Sequence, residues 1–286
     1  MSKVILITGC SSGIGHDLAQ KLTRNGYTVA ATARKINSIS NLEAALILPL
    51  DVTNQDSIQK AVDSVSQKFG RIDVLVNNAG FCQVGAIEEL TDDQVQQMYD
   101  VNVFGVMRMI KAVVPIMRKQ KSGRIINISS IAGRLVTPVN GAYSSTKFAL
   151  EAFSDALRME LEPFKIQVIL IEPGAIKTNL DKTVHVHGDK VLSNPTSPYL
   201  SLYRVYQSVS DGMRQHEPGP EAVSKVIRQV LETSKPKVRY LAGTAFSMKL
   251  VMALRDFVWD LIIRQLFKAT PQDYTCTQNQ SHAATL

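Results

Sequence analysis

The stretch VILITGCSSGIG, residues 4–15, decides the fold. Its four leading apolar residues have the length of a short strand, and a glycine-rich turn follows them at once. Because glycine has no side chain, the backbone there can approach a bound group closely, and the first turn of a helix offers unpaired N–H groups and a positive dipole end. A strand, a glycine turn and a helix in this order predict a phosphate cradle, whose residues are Gly9, Ser11, Ser12, Gly13, Ile14 and Gly15.

Apolar runs of strand length recur along the chain with helix-like segments between them, which is typical of a parallel sheet with crossover helices. These runs are continuous because such strands are buried on both faces. The predicted strands are Val4–Thr8, Thr28–Thr32, Leu46–Leu50, Val74–Asn77, Arg124–Ser129 and Gln167–Ile171, and the predicted helices are Ile14–Asn25, Gln55–Phe69, Asp92–Gln120 and Tyr143–Pro163. The sequence therefore predicts an α/β fold, a doubly wound parallel sheet of the Rossmann type with helices on both faces.

The length of 286 residues fits one domain with an extension. We assign residues 1–240 to a dinucleotide-binding and catalytic domain, and residues 241–286 to a C-terminal helical extension with a polar tail. Residues 178–220 are rich in Ser, Pro, His and Tyr without a clear period. We interpret them as a substrate loop, with an irregular surface excursion as the alternative.

Composition argues against several classes of protein. The three cysteines are widely separated, so they predict neither a disulfide framework nor a metal site, and they favour a cytoplasmic setting. No run of about eighteen uncharged apolar residues is present to span a membrane. Much of the net charge of +7 lies in residues 235–268, which contain seven Lys or Arg and only two Asp. Because no aromatic residues interleave with a basic stripe, nucleic acid is not predicted as a partner.

The choice of cofactor depends on the residues after the second strand. A dinucleotide site for NAD places an acidic residue about twenty residues beyond the glycines, where it binds the ribose hydroxyls. Here the acid is absent, and Arg34 and Lys35 follow the strand instead. A guanidinium group pairs with a 2′-phosphate, which an acid would repel. We therefore expect NADP(H), with a solvated basic loop as the alternative reading.

A candidate catalytic group lies in the second half of the domain. Tyr143 and Lys147 are four residues apart in a predicted helix, so their side chains share one face. A nearby ammonium group is expected to lower the pKa of the tyrosine and make it a usable acid or base. Ser130 ends a strand and can bind a substrate oxygen, and Asn102 is a polar residue inside an apolar helix. A tyrosine and a lysine four residues apart are common in helices. The assignment of Tyr143 and Lys147 to catalysis therefore depends on the other motifs that accompany them.

Taken together, these motifs resemble the classical short-chain dehydrogenase/reductase family. The matching residues occur in family order and spacing over roughly the first 180 residues: Thr8 to Gly15, Asn77-Asn78-Ala79-Gly80, Asn102, Ser130, Tyr143-Ser144-Ser145-Thr146-Lys147 and Pro173-Gly174. The glycine motif and the long C-terminal extension are most similar to the branch with 17β-hydroxysteroid and retinol dehydrogenases. The resemblance implies hydride transfer between a nicotinamide cofactor and a small-molecule carbonyl or alcohol substrate, which we expect to be lipophilic: a steroid, a retinoid or a lipid-like ketone.

The resemblance also implies individual roles. Tyr143 would be the proton donor or acceptor, Ser130 would polarise the carbonyl group, and Lys147 would tune Tyr143 and bind the nicotinamide ribose. Asn102 would hold the water of a proton relay. Supporting cofactor contacts are implied for Asp51 and Val52 at the adenine, for Asn78, Ala79 and Gly80 along the cofactor, and for Pro173, Gly174 and Thr178 near the carboxamide.

The apolar segment Phe246–Phe267 is predicted to form a helix whose apolar side chains pack against another surface. It would roof a lipophilic pocket, join a subunit interface, lie peripherally on a membrane with its basic residues toward anionic lipid, or pack on the core. The family resemblance further suggests a homo-oligomer. Two other functions stay open, a reductase of 3-oxoacyl or other lipid-linked carbonyls and a non-catalytic NADP-binding or membrane-associated regulatory protein.

Overall fold

The computed structural model describes residues 2–178, 191–214 and 217–244, with the single positions Met252, Ile262 and Gln265. In this part of the chain every strand pairing is parallel, and the order across the sheet is β3-β2-β1-β4-β5-β6-β7. The strands are β1 (Val4–Ile7), β2 (Thr28–Ala33), β3 (Leu46–Pro49), β4 (Val74–Asn77), β5 (Gly123–Ile128), β6 (Ile166–Pro173) and β7 (Arg239–Ala242). The order reverses between β1 and β4, and such sheets bind ligands in the crevice beyond the carboxyl ends of the strands there.

Helices cover both faces of this sheet. They are α1 (Gly13–Arg24), α2 (Gln55–Phe69), α3 (Asp92–Tyr99), α4 (Val106–Gln120), α5 (Gly141–Leu161), α6 (Leu200–Arg214) and α7 (Glu221–Glu232). One core lies between the sheet and α1 and α7, and a second lies between the sheet and α2, α4 and α5. Ile5 and Ile7 of β1 point into the first core, and Val4 and Leu6 point into the second. The predicted doubly wound α/β fold is confirmed.

Local signals set the ends of the helices. The Asn54 side chain accepts a hydrogen bond from the Ser57 amide at 2.9 Å and so begins α2, which ends at Gly70, with φ of 72°. Thr91 and Gln94 cap each other reciprocally at the start of α3. Because both signals of α2 are present in the sequence, its predicted bounds are correct at both ends.

The expectation that residues 178–220 lack regular structure was wrong for part of that range. Leu200–Arg214 form helix α6, whose Tyr203 is fully buried. The amide of Ala86 donates a 3.0 Å hydrogen bond to the Tyr203 hydroxyl, which in turn donates to Glu89. Tyrosine therefore serves as a core residue here because its polar end is fully partnered. Residues 179–190 of the proposed loop lie outside the described residues.

Strand β7 crosses the predicted boundary at residue 240 and adds Leu241 and Ala242 to the sheet. Residues 245–286, except Met252, Ile262 and Gln265, lie outside the described residues, and with them most of the predicted C-terminal extension. The arrangement of that segment over a pocket, an interface or a membrane thus stays a prediction.

The predicted helical stretch Asp92–Gln120 is confirmed at both ends, but it is not α-helical throughout. Helices α3 and α4 flank a π-helical segment, Asp100–Gly105. Asn102 lies in this segment with 1% of its surface exposed. Wider turns of this kind are frequent at functional sites, because they redirect a side chain without ending the helix.

Candidate active site

The glycine turn lies at the carboxyl end of β1 and has the backbone shape of a cradle. Gly9 and Gly13 adopt φ of 72° and 59°, a region that side chains disfavour. A Cβ atom on Gly9 would lie 2.8 Å from the Cα atom of Ala79. A Cβ atom on Gly15 would lie 2.5 Å from the side-chain nitrogen Nδ2 of Asn78. Ser12 precedes α1 without capping it through its side chain. The side chain of Ser12 therefore does not occupy the first N–H groups of α1, and the phosphate contacts of Ser11, Ser12 and Ile14 stay predictions.

Asn78 and Ala79 form the second wall of the cradle. The Thr8 hydroxyl oxygen accepts hydrogen bonds from both backbone amides at 3.0 Å. The Asn78 side chain donates to the carbonyl oxygens of Thr8 at 2.9 Å and Gly9 at 3.0 Å. These bonds join the ends of β1 and β4 across the topological switch. Thr8 therefore holds the two segments together, a role that its place in the glycine motif did not indicate.

The predicted adenine end lies beyond β2 and β3. Arg34 and Lys35 are exposed directly after β2, and Asp51 follows β3 on the same edge of the sheet. The Asp51 carboxylate accepts hydrogen bonds from the backbone and hydroxyl of Thr53, at 2.9 and 2.7 Å. Val52 packs so closely on Gly105 that a Cβ atom there would lie 2.8 Å from Val52 Cγ2.

The candidate catalytic side chains converge at the carboxyl ends of β5 and β6. Tyr143 and Lys147 lie on α5, and the Lys147 ammonium donates to the carbonyl oxygen of Ile128 at 2.9 Å. Its Nζ atom lies 5.7 Å from the centre of the Tyr143 ring. The Ser130 hydroxyl accepts from the Ala132 amide at 3.1 Å and lies 3.5 Å from the Pro173 carbonyl oxygen. A hydrogen bond between Ser130 and Tyr143 completes the group.

The electrostatics of this group differ from the expectation for Tyr143. Burial, followed by the Cys82 thiol, raises the pKa of the Tyr143 hydroxyl, and the hydrogen bond with Ser130 only opposes that shift. Burial also lowers the pKa of Lys147 to about 8, against the opposing effects of Cys82 and Glu151. The predicted lowering of the Tyr143 pKa by Lys147 is therefore absent, because burial dominates and the ammonium is directed at Ile128.

Asn102 links three backbone segments around the site. Its Oδ1 atom accepts from the Phe81 amide at 3.0 Å, and its Nδ2 atom donates to the Phe81 carbonyl at 2.9 Å and to the Thr146 hydroxyl at 3.2 Å. Gly80 lies against the same side chain. Asn102 thus fixes the turn after β4 to α5, and its predicted role of holding a water stays a prediction.

The remaining predicted cofactor residues follow β6. The Gly174 amide donates to the carbonyl of Ala242 at 2.9 Å, which anchors the Pro173-Gly174 turn to β7. Thr178 lies over the glycine cradle, since a Cβ atom on Gly13 would be 3.2 Å from Thr178 Cβ. Residues far apart in sequence thus meet at one crevice.

An apolar cluster borders Tyr143. Its buried members come from the turn after β4, from the loop before α5, from the segment that leads into α6 and from α6 itself: Cys82, Val84, Ala86, Val139, Leu192 and Tyr203. Tyr143 packs against it together with Tyr199 and Tyr206. The candidate acid Tyr143 therefore lies beside an apolar cluster.

Comparison with known proteins decides the family. Residues 3–187 match the family of short chain dehydrogenases. The chain belongs to this family. The resemblance seen in the motifs is confirmed, and the protein is an oxidoreductase of carbonyl and alcohol groups that uses a nicotinamide cofactor.

The relatives of this short-chain dehydrogenase are named for different activities. A 3-ketodihydrosphingosine reductase of Bacteroides thetaiotaomicron is 46% identical over 84% of this chain and 88% of its own. Human 17-beta-hydroxysteroid dehydrogenase type 1 is 36% identical over 88% of this chain and 81% of its own. Among solved structures, a short-chain dehydrogenase from Streptomyces avermitilis is 34% identical, covers 93% of this chain and 96% of its own, and has a TM-score of 0.74.

The described residues show neither a metal site nor a membrane span. They contain no group of three or more His, Cys, Asp or Glu side chains placed to hold a metal ion. Nor does any helix among them combine the length and apolar character needed to cross a membrane.

Proposed function

We propose that this short-chain dehydrogenase uses NADPH to reduce the carbonyl group of a lipophilic substrate. The observation that carries the proposal is the position of Tyr143, which contacts Ser130 on one side and packs against a tyrosine-rich apolar cluster on the other. A carbonyl group at Tyr143 would leave the rest of its molecule on that cluster. Burial of apolar area would then hold the substrate.

The residues at the crevice fit a nicotinamide dinucleotide. Gly9 and Gly15 allow Ala79 and the Asn78 side chain to pack closely on the turn, and a tight glycine turn at the start of a helix is the arrangement that binds a pyrophosphate. When bound, this cofactor supplies hydride to a carbonyl carbon or accepts it from an alcohol. The chain itself has to hold the substrate oxygen, move one proton to it and exclude water.

Tyr143 is placed to donate that proton. The phenol is protonated at neutral pH, since the ordinary pKa of tyrosine already lies well above 7 and burial raises it further; a reduction requires its general acid in this form. The Ser130 hydroxyl donates a hydrogen bond to the same substrate oxygen as negative charge develops there. Lys147 is held in place by its hydrogen bond to the Ile128 carbonyl oxygen, with its ammonium group 5.7 Å from the centre of the Tyr143 ring.

Preference for NADP(H) follows from the exposed pair after β2. Arg34→Ala is expected to weaken NADPH binding about 10- to 100-fold, the loss of one charge-assisted contact, and to leave NADH binding within about twofold. Fluorescence titration of both cofactors measures this difference. Arg24→Ala, which removes an exposed arginine at the end of α1, is the matched control. Equal losses for NADPH and NADH in the Arg34 variant would refute the phosphate contact.

The substrate class is tested by NADPH oxidation with 3-ketodihydrosphingosine, a 17-keto steroid, retinal, a 3-oxoacyl thioester and a small water-soluble ketone. We expect kcat/KM for the best lipophilic ketone to exceed that of the small ketone by at least about tenfold, since an apolar contact of a few methylene groups contributes more than 1.4 kcal/mol. The 46% identical relative makes 3-ketodihydrosphingosine the first compound to test.

A faster rate with the small ketone would contradict the assignment of the apolar cluster. No oxidation with any carbonyl, together with intact NADPH binding, would favour the regulatory alternative. Subunit association and peripheral membrane contact are further proposals; Phe153 and Met159, exposed on α5, offer apolar surface for association.

A further inference from the structure

Behind the Ser130 turn lies a buried group of charges that the proposed reaction does not use. Glu172 of β6 is 1% exposed and Glu151 of α5 is 7% exposed. Arg239 of β7 binds Glu151 at 2.9 Å and lies 3.4 Å from Glu172. Among the described residues, no hydrogen bond reaches Glu151 Oε1 or Glu172 Oε1. Two buried carboxyl groups thus lie within ion-pair distance of the Arg239 guanidinium group.

Arg134 connects this group to the active site. It follows the turn Ile131–Gly133, which begins at Ser130, and its guanidinium group lies 3.7 Å from Glu172. On the other side, Glu172 immediately precedes Pro173, whose carbonyl oxygen faces the Ser130 hydroxyl at 3.5 Å. Glu172 therefore contacts the end of the Ser130 turn and is covalently joined to the group that lies against its start.

The turn itself is wedged against α5. A Cβ atom on Gly133 would lie 2.9 Å from the Ser129 hydroxyl and 3.1 Å from Glu151 Cγ. Because this packing leaves no spare volume, a movement of the Glu151 and Glu172 side chains is transmitted to the backbone that carries Ser130.

We propose that Glu172 is a positioning residue for Ser130, which it holds through Arg134, and that ionisation of the buried Glu172 carboxyl group controls how firmly the turn is held. This inference rests on the proposed function, because it takes Ser130 to be the group that binds the substrate oxygen. The charged groups that face Glu172 are Arg134 from the turn, Arg239 from β7 and Glu151 from α5. One turn further along α5, Asp155 binds Arg239 at 2.6 Å, and Arg158 lies 3.8 Å from Asp155.

The sign of the pH dependence follows from the environment. Burial, and next Glu151, raise the pKa of Glu172 to about 7, against the opposing effects of Arg134 and Arg239. Below pH 7 the carboxyl group is neutral and holds Arg134 weakly, and above pH 7 it is a carboxylate that holds Arg134 by charge. The wild type should therefore gain kcat between pH 6 and pH 8.

Glu172→Gln is expected to abolish this gain. We expect its kcat to be about tenfold below wild type at pH 8 but within about twofold at pH 6, with KM for NADPH unchanged at both, because only the carboxylate form is lost. Glu172→Asp, which still titrates, should retain the gain. The matched control is Asp155→Asn, which removes a carboxylate from Arg239 without touching Arg134 and should keep the wild-type profile. A Glu172→Gln profile that follows wild type would overturn the inference.

Thermal unfolding supplies a readout that needs no turnover. Since the folded-state pKa of Glu172 lies above its ordinary value, the native state binds more protons than the unfolded state at mildly acidic pH, and stability from this group falls as pH rises toward 7 and above. The melting temperature of the wild type minus that of Glu172→Gln should therefore decrease from pH 5.5 to pH 8.5. A difference that stays constant over this range would contradict a raised pKa of Glu172 in the folded state. Absence of wild-type turnover with every carbonyl would instead refute the proposed function.

Discussion

Tyr143→Phe is expected to lower kcat by about a thousandfold, within the range of general acid catalysis by a positioned side chain. The substitution removes one oxygen atom and retains the ring that packs against the apolar cluster and lies 5.7 Å from the Lys147 ammonium. Dissociation constants for NADPH should therefore stay within about threefold of wild type, well under the tenfold that corresponds to 1.4 kcal/mol. Single-turnover NADPH oxidation and fluorescence titration measure the two quantities separately.

Tyr240→Phe is the matched control for this loss. Its hydroxyl lies on β7 and accepts a hydrogen bond from the Lys237 amide at 2.9 Å, remote from Ser130. We expect its kcat to stay close to wild type. If Tyr143→Phe also retained wild-type kcat, Tyr143 would not be the acid, and the assignment made from the motifs would fail.

The sheet could be predicted because its strands carry their own signal. β1 and β6 are continuous apolar runs, and burial on both faces demands such runs wherever helices cover a parallel sheet. β7 carries no such signal. Its four residues include Arg239, which belongs there only because Glu151, Asp155 and Glu172 surround it. A strand whose stability depends on distant partners cannot be recognised from its local sequence.

Helix α6 and the π-helical segment escaped prediction for a similar reason. Tyrosine, serine and glutamine dilute the apolar period of Leu200–Arg214, and Tyr203 counts as a core residue only once Ala86 and Glu89 satisfy its hydroxyl. At Asn102, the contacts that accompany the wider turn are made by Phe81 and Thr146, which the local sequence does not reveal.

The candidate active site could likewise be predicted only in part. Gly9, Ser130, Tyr143 and Lys147 could be found from motif spacing, because short segments place each of them at the carboxyl edge of the sheet. Their electrostatics could not. The pKa of Tyr143 is decided by burial, which depends on how the whole crevice closes, and not by Lys147 four residues away.

Gly9→Ala is expected to abolish measurable cofactor binding, with a loss of at least about a hundredfold, or 2.7 kcal/mol. Two costs add at this position. A side chain at φ of 72° is strained by about 1–2 kcal/mol. The added Cβ atom would also lie 2.8 Å from the Ala79 backbone, so the two walls of the cradle would have to separate where a pyrophosphate needs their amides. Titration with NADPH and urea unfolding measure affinity and stability on the same preparation.

Gly26→Ala separates these two costs. Gly26 follows α1 with φ of 80°, but the space around it is open to 4 Å. Its substitution should therefore bring the same conformational strain, about 1–2 kcal/mol of unfolding free energy, without any approach to the cradle. We expect Gly26→Ala to bind NADPH as wild type does. If the two variants lost affinity equally, strain alone would explain the effect, and the close contact of Gly9 with Ala79 would have no part in binding the phosphate.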